Sequence, residues 1–349
     1  MKRHCDIIER LANGESLEHK EWIALLTELT AEERVYLHKK ASEVAAARFG
    51  KGVFVRALLE ISSYCRNNCY YCGIRCANKN AQRYRLSKEQ ILDCCAYGAS
   101  LGFNTFVLQG GEDPRQNDEW ITDVVASIRK EFPEKAITLS VGERSEEGYR
   151  AFKEAGANRY LLRHETRNDE HYRHLHPECM SSNNRRKCLF TLKQLGFQTG
   201  SGMMIGSPGQ SAENIYEDIR FLEELQPQMI GVGPFLPASG TPFANCSAGS
   251  AEDTILVVSL LRLRFPDALL PATTALATLL PDGMERAIRA GANVVMPNIS
   301  PLEERKKYSI YDNKKSTGAE SAQQMQLLEK RLNDIGYHID YSRGDFKQK

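Results

Sequence analysis

The chain lacks a stretch that would make a transmembrane helix. Nowhere in its 349 residues is there an apolar run of about 18–20, and the N-terminus MKRHCDIIERL lacks the apolar core of a signal peptide. It also lacks a charge excess. With 46 basic and 45 acidic residues the net charge is +1, which offers no footing for a nucleic-acid or membrane-surface partner. Solenoid repeats, low-complexity tracts and long linkers are missing. Cysteine stops at Cys246, although ten occur up to that point. Without a secretion signal, ten cysteines predict a reducing, cytoplasmic setting with thiols or clusters rather than disulfides.

What is present centres on Cys65, Cys69 and Cys72, a C-x3-C-x2-C triplet directly after the apolar run Val53–Ile61. Three thiolates on a loop at the end of a strand can converge on one metal centre. A structural zinc site needs four ligands, and no second C-x2-C knuckle exists to supply them. A thioredoxin-like redox pair would use Cys69 and Cys72 but leave Cys65 unexplained. A four-iron cluster held by three thiolates leaves one iron open for chemistry. Tyr71 before the last cysteine and Gly73 after it favour the cluster.

From Val53 onward, short apolar runs alternate with polar-faced helical stretches. Strands are predicted at Val53–Ile61, Thr105–Gln109, Ala136–Val141, Tyr160–Arg163, Gln198–Ile205, Met229–Pro234, Leu269–Thr274 and Asn293–Met296. Gly102, Gly156, Gly196 and Gly291 mark helix ends. Eight strands with intervening helices predict an α/β fold, a complete (β/α)8 barrel, with a doubly wound open sheet as the alternative. Residues 1–50, with apolar positions at helical spacing, read as a helical cap closing one end. Residues 51–300 form the barrel, and 301–349 a C-terminal helical extension with a frayed basic tail.

One strand carries unusual charge. Along Arg159–Glu165, period-two alternation puts Arg159, Leu161, Arg163 and Glu165 on one face. Buried charges must be paired or meet a ligand, so the face is either an internal ion pair or an anion-binding wall. His164 points to the other side and reads as a packing residue.

The Cys65–Gly73 pattern, continued by Asn78 or Asn80 and by Arg83-Tyr84-Arg85, resembles the radical S-adenosylmethionine (SAM) superfamily, and within it the HydE maturases of FeFe-hydrogenase. LQGGEDP (108–114), LSVGE (139–143), RYLLRHET (159–166), GMMIGSPGQ (202–210), GPFLPASGTP (233–242), PATTA (271–275) and GANVVMPN (291–298) extend the match over roughly residues 20–340. The resemblance implies one 4Fe–4S cluster on Cys65, Cys69 and Cys72, with SAM chelating the fourth iron. It implies SAM contacts from Tyr71, Gly110, Gly111, Glu112, Ser140, Glu165, Arg185, Met204 and Gly231. Arg185 is expected on the SAM carboxylate, and Glu112 and Asp113 as loop-positioning acids.

The resemblance further implies reductive cleavage of SAM to a 5′-deoxyadenosyl radical that acts in assembly of the diiron subcluster. The substrate would be an organometallic, cysteine-bound iron species. On charge and strand position, not on the resemblance, its carboxylate is assigned to Arg159, Arg163, Thr273 and Thr274, with Met296 and Tyr308 closing the cavity. Implied partners are hydrogenase maturation proteins and an electron donor such as ferredoxin or flavodoxin. With no cysteine beyond Cys246, a second C-terminal cluster is not expected. The alternatives are a methylornithine synthase-like mutase acting on a free amino acid, and a non-catalytic iron–sulfur carrier.

Overall fold

A computed structural model describes residues 4–314 and 321–347. Six parallel strands run side by side in chain order: β2 (Ala57–Ser62), β3 (Thr105–Gly110), β4 (Ala136–Ser140), β5 (Arg159–Leu161), β6 (Gln198–Ile205) and β7 (Met229–Pro234). A second sheet joins β8 (Val294–Val295), β1 (Gly52–Val55) and β9 (His338–Asp340). Single parallel bridges, Met229 to Leu269, Pro271 to Val294 and Leu58 to Asn298, close these sheets into a barrel. Serine or asparagine caps start its main helices. Ser87, Asn117, Ser145, Ser181, Ser211 and Ser250 each accept the amide three residues on, which satisfies a donor the helix itself leaves unpaired.

Three expected strands differ in detail. Val53–Ile61 is divided at Arg56, because β1 pairs with β9 while β2 pairs with β3. The ladder to the β8 side nevertheless continues through the break, with Arg56 N–H donating to Val295 O at 3.0 Å. Leu269–Thr274 is no regular strand: Pro271 cannot donate to a ladder, and Thr274 already begins the helix Thr274–Leu279. In the fourth run the ladder covers only Arg159–Leu161. Glu165 then rejoins β6 through one bridge to Met203.

The two ends of the chain also depart from expectation. The N-terminal helices lie along the flank rather than over an end. His38 Nδ1 of the helix Ala31–Phe49 sits 2.8 Å from Ser259 Oγ of the helix Ala251–Arg264, and Arg34 pairs with Asp253 at 3.1 Å. The tail, expected to be frayed, is docked. After β9, residues 343–346 run beneath the N-terminal ends of the strands, where Arg343 O accepts from Thr105 Oγ1 and Arg159. Phe346 N–H donates to Gln198 Oε1. This segment floors the barrel, and the loops at the C-terminal ends of the strands form the open mouth, where a barrel of this kind places its chemistry. Among the described residues no helix is long and apolar enough to cross a membrane.

Candidate active site

The cysteine loop leaves β2 at Ser62 and is pinned before it returns at Arg85. Arg83 donates to the carbonyls of Ser63, Ile74, Arg75 and Asn78, so a single guanidinium gathers both limbs of the loop. Asn78 donates to Gly73 O at 2.7 Å and to Ser239 O at 3.0 Å. Of the two asparagines singled out by motif, Asn78 holds the loop. Tyr84 O–H donates to Glu60 O at 2.8 Å. Arg85 grips Asp113 with two hydrogen bonds, 2.6 and 2.9 Å, while its guanidinium lies 3.4 Å from the centre of the Tyr64 ring. The RYR motif is therefore structural: Arg83 closes the cysteine loop on itself, while Tyr84 and Arg85 tie it to the barrel.

Glycines allow the loop to sit close. A Cβ on Gly111 would stand 2.4 Å from Tyr64 O and 2.6 Å from Cys65 Cβ, and one on Gly73 would stand 2.1 Å from Ser309 O. Both distances are below van der Waals contact, so a side chain at either position pushes the loop away. Glu112 then clamps the arrangement, accepting from Arg66 Nε at 3.0 Å and from Glu143 N–H at 2.8 Å.

Cys65, Cys69 and Cys72 are half-buried, whereas Cys76 is exposed. Burial pushes all three thiols up, Cys72 to about 12; the neighbouring Cys72 adds to the effect on Cys69, and Cys65 to that on Cys72. Burial thus keeps these thiols protonated when no cation is beside them, and a bound cation would ionise them. Among the described residues no three His, Cys, Asp or Glu side chains gather closely enough to hold a single metal ion. The three half-buried thiols share one short loop pinned at both limbs, and thiolate is the donor an iron–sulfur cluster takes.

A buried aromatic and charged wall flanks the triplet. Tyr71 O–H donates to His176 Nε2 at 3.2 Å, and His176 Nδ1–H donates to Tyr172 O at 3.0 Å. The His176 and Tyr172 rings stack at 4.0 Å. Burial and the charge of Arg185 push the imidazole down to about 3, which keeps it an acceptor for Tyr71. Arg185 sits 2.6 Å from Glu143 Oε1, yet its Nε finds no aligned hydrogen bond. Burial opposes its charge, but Glu143, Tyr172 and Tyr71 hold it protonated. Met204 packs with Phe235, Leu175 and Tyr71. Ser140 ends β4 beside Gln109 of β3. Gly231 faces open space, since a Cβ there would have only Ser201 O within 4 Å, at 3.9 Å.

The residues assigned to substrate divide into two groups. Arg163 stands 3.2 Å from Glu165, and both keep buried polar atoms without a hydrogen-bond partner. Thr273 Oγ1 is likewise buried and unpartnered, and Thr273, Thr274 and Met296 line one small cavity. Tyr308 is buried, with Oη accepting from Gln109 Nε2 at 3.4 Å. Arg159 is not with them. It lies at the floor, donating to Asp345 and to Arg343 O at 2.7 Å each, and the anion-binding role expected of it is corrected to a structural ion pair. The reason is depth: Arg159 pairs with Gln198 at the start of β6, whereas Glu165 bridges Met203 near its end.

Sequence reasoning passed over Glu60, Lys314, Gln109 and His176. Glu60 is wholly buried on β2 and accepts from Lys314 Nζ, whose ammonium lies 5.0 Å from the centre of the Tyr308 ring. A lone acid inside the apolar stretch ALLEIS was a visible signal. Lys314 had none, because its partner is 254 residues away.

The radical SAM superfamily model matches residues 59–222. The [FeFe] hydrogenase maturase subunit HydE of Thermotoga maritima is 45% identical over 278 residues, covering 80% of this chain and 79% of that protein. The chain belongs to the radical SAM superfamily. A 3-methylornithine synthase from Methanosarcina acetivorans is 31% identical over 84% of both chains. The crystal structure of methylornithine synthase (PylB) superposes with a TM-score of 0.86 at 28% identity, covering 97% of this chain and 98% of that one. Radical SAM enzymes use a 4Fe–4S cluster and SAM.

Proposed function

We propose that this radical SAM enzyme acts in assembly of the diiron site of FeFe-hydrogenase, as a HydE-type maturase. The observation that carries the reading is the 45% identity to the Thermotoga maritima maturase over most of both chains, joined to a barrel mouth that carries the Arg163–Glu165 pair and the Arg185–Glu143 pair. When bound, the reduced cluster and SAM supply a 5′-deoxyadenosyl radical. The protein's part is binding, orientation and exclusion of water.

In this reading Tyr71, Gly110, Gly111, Ser140, Glu165, Arg185, Met204 and Gly231 surround SAM, and Glu112 holds the loop that meets it. Arg163, Thr273, Thr274, Met296 and Tyr308 face the substrate, an organometallic iron species carrying a cysteine carboxylate. The buried Thr273 hydroxyl, which has no partner, and the Arg163 guanidinium, paired with Glu165 at 3.2 Å, bring a donor and positive charge suited to that anion. A cytoplasmic setting and a one-electron donor such as ferredoxin or flavodoxin complete the proposal.

The test is anaerobic reconstitution followed by SAM and dithionite. Formation of 5′-deoxyadenosine, together with activation of metal-loaded but immature FeFe-hydrogenase in the presence of the other maturases, is the expected result. The fold shared with methylornithine synthase motivates a second reading, a mutase acting on a free amino acid. Production of methylornithine from lysine and SAM would replace the first reading with the second.

A further inference from the structure

Glu165 is one of three non-glycine residues with positive φ among the described residues, at 65°. Side chains avoid this region, and a residue held there needs surroundings that impose it. The turn directs its carboxylate toward Arg163 at the barrel mouth, where Oε2 is buried without a hydrogen-bond partner.

What imposes the turn lies behind the barrel wall. Asp218, wholly buried on the helix Ala212–Leu225, uses one oxygen for two tasks. Its Oδ1 accepts from His164 Nε2–H at 3.2 Å and from the backbone N–H of Arg167. These donors sit one residue before Glu165 and two after it. His164 Nδ1 lies 2.9 Å from Ser201 Oγ on β6, and Gly202 O, next along, accepts the Glu165 N–H at 3.1 Å. No side chain fits at Gly202, where a Cβ would stand 1.9 Å from Gly231 O.

Ser201, His164 and Asp218 follow the order of a hydrolase relay, but all three are at most 1% exposed and no substrate reaches Ser201. A buried carboxylate whose second oxygen has no partner is a poor way merely to join a helix to a sheet. We propose that Asp218 and His164 are positioning residues, a bracket that holds Glu165 in its left-handed turn so that its carboxylate meets SAM. The consequence for SAM rests on the assignment of Glu165 above; the bracket itself does not.

Two measurements on Asp218→Asn, with His164→Gln as a second variant, test it. Hydrogen exchange of the cluster-free protein should speed by about tenfold or more in the segment 163–168 and nowhere else, as expected when a charged hydrogen bond is lost. In reconstituted protein, equilibrium dialysis should show SAM binding weakened by about tenfold. The double variant Asp218→Asn/Glu165→Gln should bind no worse than Glu165→Gln alone, because both changes act through one group. Additive losses, or local exchange unchanged in whichever variant folds, would overturn the bracket. Unchanged SAM binding in Glu165→Gln would remove the assignment of Glu165, and the exchange result would still decide the bracket.

Discussion

Arg159 and Asp345, 186 residues apart in the chain, meet at 2.7 Å beneath the barrel. Arg159 is wholly buried, so removing Asp345 strands a guanidinium away from water. Asp345→Ala is expected to lower stability by about 3 kcal/mol, the lower end for a broken buried pair because Asp345 is partly exposed. Arg159→Leu/Asp345→Leu should recover much of that loss. Denaturant midpoints measure both, and SAM cleavage per bound cluster should be unchanged, since the pair lies at the end opposite the mouth. Burial raises the Asp345 carboxyl, but Arg159 outweighs it and leaves it below its ordinary value. Its contribution is thus complete above the ordinary carboxylate range and is lost as pH falls below it.

The two close-approach glycines should govern cluster retention. Gly111→Ala pushes the cysteine loop away at Tyr64 and Cys65, Gly73→Ala drives it against Ser309, and overpacking of this kind costs about 1–3 kcal/mol. Purified variants should fold yet hold less than half the wild-type iron. Full iron content in both would show that the loop yields without consequence.

Each of Cys65→Ser, Cys69→Ser and Cys72→Ser should drop iron from about four per chain to near zero. Cys76→Ser, at an exposed thiol, should leave it at about four. Iron and sulfide analysis after anaerobic reconstitution reads the difference. About eight irons per chain would mean a second cluster and would contradict the assignment.

Acid should loosen the N-terminal helices before the barrel. Glu33 accepts from His4 N–H and Thr30 N–H, and the His4 backbone bond, outweighing burial, holds its carboxyl at about 2. A depressed carboxyl stabilises fully above its unfolded value of roughly 4.3, and that contribution disappears as pH falls through about 2. Trp22, buried in the neighbouring helix, reports the change once Trp120→Phe removes the other tryptophan. Glu33→Gln should lower stability at neutral pH and flatten the acid response.

Much of the barrel was legible because local signals sufficed. β6 and β7 fall on the predicted residues, and Gly156 and Gly196 take the left-handed φ their positions required. Alternation put Arg159 and Glu165 on one face, but a face says nothing of depth, and strand rise separates floor from mouth. The division at Arg56 was invisible, since it arises from pairing with β9 some 280 residues later. Pro271, by contrast, was in view and argued against a regular seventh strand. At the site, the cysteine triplet and its motif flanks were readable. Glu60 with Lys314, and Asp218 with His164, are long-range pairs that only the closed fold brings together.

The pairing of β1 with β9 fixes an order in time. During synthesis every barrel strand emerges while the lower half of the first still has a bare edge, because residues 338–346 come last among the elements described. Arg56 reaches Gly344 across 288 residues, a contact of very high sequence separation and correspondingly slow to form. Until residues 338–346 are in place, the edge of β1 that they cover offers bare N–H and C=O groups to any other strand, which makes the base of the barrel its exposed side during folding.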